Sequence, residues 1–447
     1  MDDAASFSGI IKISNVSDFI APSQMCILPL QSKESDSKIQ VGFKSRSKVV
    51  DDQSKKKVAV TINDCLACSG CITSAETILI KEQSKPKFLE GLAVAQLSVV
   101  TVSPQSVASI AYKRSCQLSE AANLIARTFK TMGVRYIVDS SFGRLLTLSF
   151  SYDEFKKADL HRPIFTGVCP GFVCYAEKTH GTLLIPHISR VRSPQAMMGA
   201  LVKDYLARKF DVKPENIFHA SIMPCFDKKL EAARPNFENE SHYREVDCVL
   251  STEEVDAILD EYNATESSFH TGKVDWLNAL ENGKLIGSEG GSSGGYAEYI
   301  VKRFVAEIKR PIELKRTVKD KNLEIIEVMD GETKLLAVAK CYGFRNIQNH
   351  VQKLKRCKCD YDYIEIMACP SGCINGGGQI RGASIDERKQ ILDKIDSPWS
   401  NDNSEMEQEL ERVKEEWSIM NPDWTNLLYT QYRAVEKSIV DRMSANW

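Results

Sequence analysis

The chain has 447 residues and is almost neutral, with 58 Lys and Arg residues against 60 Asp and Glu residues. Its apolar content of 43% and charged content of 26% are typical of a soluble protein with a folded core. This balance gives no electrostatic reason to expect nucleic acid or an anionic membrane as a partner. No apolar run approaches the roughly 20 residues that span a bilayer, and the first residues lack the basic and apolar order of a signal peptide.

Residues 1–88 predict a small N-terminal metal module, interrupted by a polar linker at 31–57. Three cysteines, Cys65, Cys68 and Cys71, follow one another at intervals of three residues in CLACSGC. A bacterial ferredoxin would supply a further cysteine followed by proline soon afterwards, but ITSAETI follows here. A fourth ligand must come from elsewhere, and Cys26 is the other cysteine upstream of residue 89. A zinc site, or a site completed by water or another residue, remains an alternative.

Residues 89–396 alternate between short apolar runs and helical patterns, which predicts an α/β core with a largely parallel sheet and helices on both faces. We expect buried strands in 92–102, 135–138, 164–168, 217–223, 246–250 and 363–367, and helices in 106–113, 118–131, 193–210 and 294–309. The glycine-rich stretch 287–295 lacks the spacing and lysine of a phosphate-binding loop and is interpreted as a structural turn. Residues 397–447 predict a helical C-terminal tail, with an acidic helix at 404–417.

A second set of four cysteines lies in three separate segments of this core. The segments are TGVCPGF (166–172), MPCFDKKLE (223–231) and MACPSGCINGGGQ (367–379), and the cysteines are Cys169, Cys225, Cys369 and Cys373. Pro and Gly beside them fix the backbone and allow its close approach to a cluster. Four thiolates are what one [4Fe–4S] cluster requires, so the two sets predict two such clusters. Most of the other six cysteines are expected to be buried small apolar residues; Cys357 and Cys359 form a C-x-C pair that leaves a surface metal or redox role open.

These three segments, in this order, resemble the cluster-holding segments of iron-only hydrogenases. From Cys26 to Trp447 the chain most resembles the eukaryotic hydrogenase-like branch, which comprises cytosolic iron–sulfur assembly factors and the nuclear prelamin A recognition factor. The resemblance implies a hydrogenase-like α/β core of parallel sheets flanked by helices, and it implies Cys26 as the fourth ligand of the N-terminal cluster.

Two departures from the hydrogenase pattern argue against an enzyme. Val168 stands where hydrogenases have a proton-relay cysteine, and Phe150 and Ser151 stand where they have an acidic pair. Valine cannot carry a proton, and such transfer typically contributes about 10²–10⁴-fold to a rate. Some pocket residues are retained: Met223, Gln195, Met367 and Lys228. Lys228 resembles the lysine that holds a cyanide ligand in hydrogenases, and the alternative is a lysine on a helix surface.

The resemblance implies a component of the cytosolic iron–sulfur assembly machinery that links an early scaffold to a late targeting complex. Its expected partners are scaffold ATPases, a WD-repeat propeller protein, a HEAT-repeat protein and apo client proteins. We expect it in the cytoplasm, with a nuclear location left open. Trp447 and its carboxylate form a candidate docking peptide for the targeting complex. The alternatives are a hydrogenase-like redox enzyme and a prelamin-binding interaction protein.

Overall fold

The computed structural model describes residues 74–158, 162–237, 243–262, 293–381 and 404–435. Cys26, Cys65, Cys68, Cys71 and Trp447 lie outside these residues, as do the linker 31–57 and most of the glycine-rich stretch 287–295. The N-terminal metal module and the docking peptide therefore remain predictions.

The described part of the chain contains two β-sheets. The strands are β1 (Leu97–Val102), β2 (Tyr136–Asp139), β3 (Ile164–Phe165), β4 (Ile217–Met223), β5 (Cys248–Ser251), β6 (Glu313–Asp320), β7 (Leu323–Asp330), β8 (Thr333–Tyr342) and β9 (Tyr363–Met367). The first sheet has the order β2-β1-β4-β5 and is parallel throughout. The second has the order β3-β9-β8-β7-β6, with parallel pairs at its β3 side and antiparallel pairs between β8, β7 and β6.

Helices cover both sheets. They are α1 (Ser74–Glu82), α2 (Lys85–Val94), α3 (Pro104–Arg114), α4 (Leu118–Thr131), α5 (Ser140–Lys157), α6 (Pro170–Thr179), α7 (Gly181–Leu184), α8 (Pro194–Ala200), α9 (Ala207–Lys209), α10 (Asp227–Ala232), α11 (Thr252–Glu261), α12 (Tyr296–Glu307), α13 (Phe344–Lys355) and α14 (Ser404–Met420). A π-helical segment, Leu201–Leu206, joins α8 to α9. Short 3₁₀ turns lie at Ile185–His187, Pro214–Asn216, Pro235–Phe237, Gly372–Asn375 and Trp424–Leu428.

The elements are stacked in layers, with helices packed against both faces of the first sheet and of the β3–β9–β8 side of the second sheet. A central core between the sheets joins residues such as Val99 and Val338 to α5, α8 and α12. On the outer face of the first sheet, α3, α4 and α11 enclose a core that includes Ile125. On the outer face of the second sheet, α6 and α13 pack over Ile364. Parallel strands buried on both faces explain the continuous apolar runs in the sequence.

Side-chain caps define where several of these helices begin. The Asp139 carboxylate accepts a hydrogen bond from Ser141 N at 2.7 Å at the start of α5. At the start of α11, Ser251 and Glu254 form a reciprocal capping box. Both caps satisfy backbone N–H groups that have no partner within the helix. Because each cap follows a buried strand directly, the strand-to-helix turns of the core are short.

Two predicted elements are wrong in part. The apolar run 92–102 is not one strand, because Lys85–Val94 is helical and β1 begins only at Leu97. The predicted helix 193–210 is interrupted by the π-helical segment Leu201–Leu206. Pro86 at the start of α2 is favourable for a helix N-terminus, and this signal outweighs the apolar run that follows.

The C-terminal region packs against the central core. The Trp417 side chain on α14 is fully buried, and its ring lies 4.9 Å from that of Trp424. Beyond α14 the chain runs along residues 190–192, where Thr430 N donates to Arg190 O at 2.8 Å. Apolar side chains between Leu410 and Leu428 are thus part of the central core.

None of the helices in the described ranges is both long and apolar enough to cross a membrane.

Candidate iron–sulfur site

The second cysteine set lies beyond the carboxyl ends of three parallel strands. Cys169 follows β3 and occupies the N-cap of α6. Cys225 lies between β4 and α10, and Cys369 lies two residues beyond β9. Cys373 belongs to the 3₁₀ turn that follows. Strand-to-loop turns at this edge commonly carry ligand-binding residues in α/β proteins, so the topology favours one shared site.

Backbone contacts join these turns to one another across the two sheets. Ala368 N donates to the Cys169 sulfur at 3.3 Å. On the other side, Gly378 N donates to Pro224 O at 3.0 Å, next to Cys225. A Cβ atom added at Gly376 would lie 2.2 Å from Pro224 O, which explains why glycine is needed there. The segment after β9 is therefore held between the turns that carry the other two cysteines.

Burial is the main influence on the electrostatics of these thiols. Burial raises the pKa of the Cys225 thiol well above its usual value, and negative charge on Cys373 and Cys369 adds to the rise. Burial likewise raises the pKa of Cys373 to about 12, with Cys169 as the next contributor. Such thiols ionise readily only when a cation compensates the charge, and binding of a metal would release their protons.

The donor set fits an iron–sulfur cluster better than a single ion. Among the residues that the structure describes, no group of three or more His, Cys, Asp or Glu side chains is arranged to hold a metal ion. A structural zinc would need its thiolates at about 2.3 Å from one centre. A cubane offers a separate iron to each of four thiolates, so cysteines from well-separated segments suit it.

Lys228 is buried and paired beside this site. Its side chain is 9% exposed, so the interpretation as a helix-surface lysine is wrong. Its Nζ donates to the Glu231 carboxylate at 2.8 Å and to Val168 O at 3.3 Å. Gln195, also buried, donates to Lys228 O at 3.0 Å. Lys228 and Gln195 thus belong to one polar network, in which the Glu231 carboxylate is the partner of the lysine.

Val168 and Phe150, two of the positions compared with a hydrogenase proton relay, are packed among apolar side chains. Val168 is 7% exposed and belongs to the central core. The Phe150 ring makes edge contacts with Trp424 at 5.7 Å and with Tyr429 at 6.1 Å. The buried side chain of Ser151 lies beside Phe150 in α5. At positions 168 and 150 the side chains can neither donate nor accept a proton.

Several residues near the site belong to no recognisable sequence motif and were not predicted. The Asn322 side chain accepts a hydrogen bond from Ser371 N at 2.6 Å, between the two cysteines of the last segment. The Ser293 hydroxyl accepts from Ile374 N at 3.2 Å. The buried Glu365 carboxylate accepts from Tyr342 OH at 2.5 Å. Of these residues, only Glu365 has a signal in the sequence, because it is an acidic residue within the apolar run 363–367.

The six remaining cysteines take no part in this cluster of thiols. Cys248 and Cys341 are buried as expected, whereas Cys116, Cys174 and Cys359 are only partly buried. Cys357 is exposed and has a left-handed backbone conformation with φ of 52°.

Comparisons with known proteins agree with this architecture. Residues 96–377 match the family described as iron only hydrogenase large subunit, C-terminal domain. A protein of Brugia malayi named probable cytosolic Fe-S cluster assembly factor is 78% identical, with 100% of both chains covered. The chain belongs to the iron-only hydrogenase-like family of cytosolic Fe–S cluster assembly factors.

More distant relatives cover nearly the whole chain as well. The Caenorhabditis elegans relative, again named as a probable cytosolic Fe-S cluster assembly factor, is 46% identical over 98% of this chain and 99% of its own. A solved [FeFe]-hydrogenase has a TM-score of 0.62 at 24% identity, covering 78% of this chain and 98% of that one. The predicted family and fold class are confirmed, and the relatives are named as assembly factors and not as enzymes.

Proposed function

We propose that this protein is a component of the cytosolic iron–sulfur assembly machinery and holds two [4Fe–4S] clusters. Cys26, Cys65, Cys68 and Cys71 would bind one cluster, and Cys169, Cys225, Cys369 and Cys373 the other. The observation that carries the proposal is that the second set of cysteines comes from three segments and lies beyond the carboxyl ends of β3, β4 and β9. When bound, a cluster supplies one-electron redox chemistry or serves as cargo.

The proposal includes the domain organisation and the partners. Residues 1–88 would form the N-terminal module, 89–396 the core, and 397–447 a tail whose helix α14 packs into that core. The protein links early scaffold ATPases to a targeting complex of WD-repeat and HEAT-repeat proteins, which passes clusters to apo clients in the cytoplasm and, where those clients are nuclear, in the nucleus. The names of the relatives support a role in assembly.

The first test is a count of metal in protein purified without oxygen. Two cubanes predict about eight irons and about eight sulfides per chain, with an EPR signal from each reduced cluster. About four irons, or zinc in place of iron, would contradict the proposal. Cys65→Ala should lower the iron count by about half and leave the core folded.

A second test addresses the role in assembly. Cells in which this protein is depleted should lose the activity of a cytosolic [4Fe–4S] enzyme, while a mitochondrial [4Fe–4S] enzyme stays active. The wild-type chain should restore that activity, and a chain with Cys373→Ala should not. Restoration by the cysteine variant would remove the second site from the function.

A hydrogenase-like redox enzyme is the alternative, because Lys228, Gln195 and both methionines of the pocket are retained. We expect no hydrogen evolution with a reduced viologen, since Val168 and Phe150 are packed in an apolar core where hydrogenases relay protons. Infrared bands of CO and cyanide on the purified protein, together with sustained hydrogen production, would favour the enzyme instead. A prelamin-binding role has no specific observation in its favour.

A further inference from the structure

The loop that carries two of the four thiols has an unfavourable backbone conformation. Within Cys369–Cys373, Ser371 has a φ of 60° and Gly372 a φ of 78°. Residues other than glycine rarely adopt this left-handed region, because their Cβ atom approaches the following carbonyl oxygen. The conformation of Ser371 must therefore be stabilised by contacts from outside the loop.

Asn322 supplies such a contact from a distant part of the chain. It lies in the turn between β6 and β7, and its side-chain oxygen accepts from Ser371 N at 2.6 Å. The same residue accepts through its backbone carbonyl from Tyr342 N at 2.8 Å, at the end of β8. Its position is thus fixed by the sheet before it meets the loop.

Ser293 and Tyr342 contact the loop on its other side. A Cβ atom added at Gly372 would lie 2.5 Å from Cβ of Ser293 and 3.3 Å from the Tyr342 ring. Ile374 N donates to the Ser293 hydroxyl at 3.2 Å, immediately after Cys373. Of these contacts, the Asn322 hydrogen bond is the one made to the backbone N–H of Ser371, the residue with the left-handed conformation.

We propose that Asn322 is a positioning residue for the Cys369 and Cys373 thiolates, holding the Ser371 turn through its side-chain oxygen. The inference rests on the proposed function, since it concerns retention of the second cluster. Residues that orient metal ligands without touching the metal typically change metal affinity about 10–100-fold when they are replaced. We expect Asn322→Leu to accelerate iron release from this site by about the same factor.

The experiment measures iron release to a chelator from the full-length, cluster-loaded protein under anaerobic conditions, with EPR to follow each cluster. Asn322→Leu removes the acceptor at similar volume, whereas Asn322→Asp keeps an acceptor oxygen and should restore slow release. Asn346→Leu is the matched control, because Asn346 is a second asparagine that hydrogen-bonds the end of β8, donating to Tyr342 O at 3.1 Å. Wild-type release rates in Asn322→Leu, or equal acceleration in Asn346→Leu, would overturn the inference.

Failure of the inference can be separated from failure of the proposed function. Wild-type protein without iron at this site would refute the function, and the loop would then be tested in iron-free protein by the alkylation rates of Cys369 and Cys373. A change in these rates for Asn322→Leu, but not for Asn322→Asp, supports positioning; unchanged rates oppose it. If the leucine variant does not fold, Asn322→Ser, whose shorter side chain cannot reach Ser371 N, replaces it in the same assays.

Discussion

The two sides of the second sheet differ in what covers them. At the β3 side, β9 is buried along its whole length and its following loop carries Cys369 and Cys373. At the opposite edge, all eight residues of β6 are exposed. One side is fixed by packing from both faces, while the other is held mainly by its pairing with β7. The thiol site therefore lies at the tightly packed side of this sheet, which we call the constrained side. Substitutions on the two sides can test whether this packing matters for the site.

The largest effect should follow loss of a thiol at the constrained side. Cys369→Ala should remove about four irons per chain and leave the core poorly folded, because its site joins three separate segments. Metal binding supplies on the order of 10 kcal/mol of folding free energy in small zinc domains, and comparable coupling is expected here. Iron analysis and limited proteolysis measure both outcomes.

Cys357→Ala is the matched control for that substitution. Cys357 is exposed and lies near the end of α13, outside the site. It should retain full iron and wild-type resistance to protease. If both variants behave alike, Cys369 is not a ligand and the constrained side has no special role.

The ion pair of a buried lysine next to the site should give the second largest effect. Lys229 is 1% exposed, and its Nζ donates to the Glu254 carboxylate at 2.7 Å and to Gln83 O at 2.6 Å. These bonds hold the α1–α2 junction against α10, the helix that follows Cys225. Lys229→Met should lower the free energy of unfolding by about 3 kcal/mol, since Gln83 O and the Glu254 carboxylate, whose side chain is 32% exposed, both lose a charged donor. Urea unfolding measures this loss.

Lys85→Met provides the comparison in the same region. Lys85 pairs with Glu261, whose side chain is 62% exposed, so its removal should change the stability by no more than about 1 kcal/mol. A cost for Lys229→Met as small as this would mean that the α1–α2 junction is not anchored by the pair.

Alanine substitutions at two glycines distinguish the cost of close packing from the cost of an unfavourable backbone conformation. Gly376→Ala places a Cβ 2.2 Å from Pro224 O, whereas Gly331, in the β7–β8 turn with φ of 60°, has no atom within 4 Å of its added Cβ. We expect about 2–3 kcal/mol of destabilisation and a lower iron content for Gly376→Ala. Gly331→Ala should cost about 1 kcal/mol through its backbone conformation and should retain its iron. Equal iron content in both variants would contradict close packing at the site.

The same contrast explains how much the sequence predicted. Strands such as β4 and β5 are buried on both faces and appear as short apolar runs, so their positions were predicted to within two residues. β6 has no apolar period because neither face is buried, and no strand was predicted there. An apolar pattern in the sequence indicates burial, so it cannot indicate a strand such as β6 whose residues are all exposed.

The candidate site divides in a similar way. Four cysteines beside Pro and Gly were found because their spacing and neighbours form a motif. Asn322 and Ser293 were missed because they reach the loop from distant segments and act through one hydrogen bond each. Their contribution depends on tertiary contacts, which no local pattern encodes.

The smallest effect should come from the exposed edge. Val318 on β6 is 66% exposed, whereas Val338 on β8 has no exposed surface. Val318→Thr should change the free energy of unfolding by less than about 0.5 kcal/mol, because no buried group loses a contact. Val338→Thr places a hydroxyl in the central core and should cost about 1–3 kcal/mol. Urea unfolding of the two variants compares the sides directly, and a cost above 1 kcal/mol for Val318→Thr would show that β6 contributes packing that its exposure does not reveal.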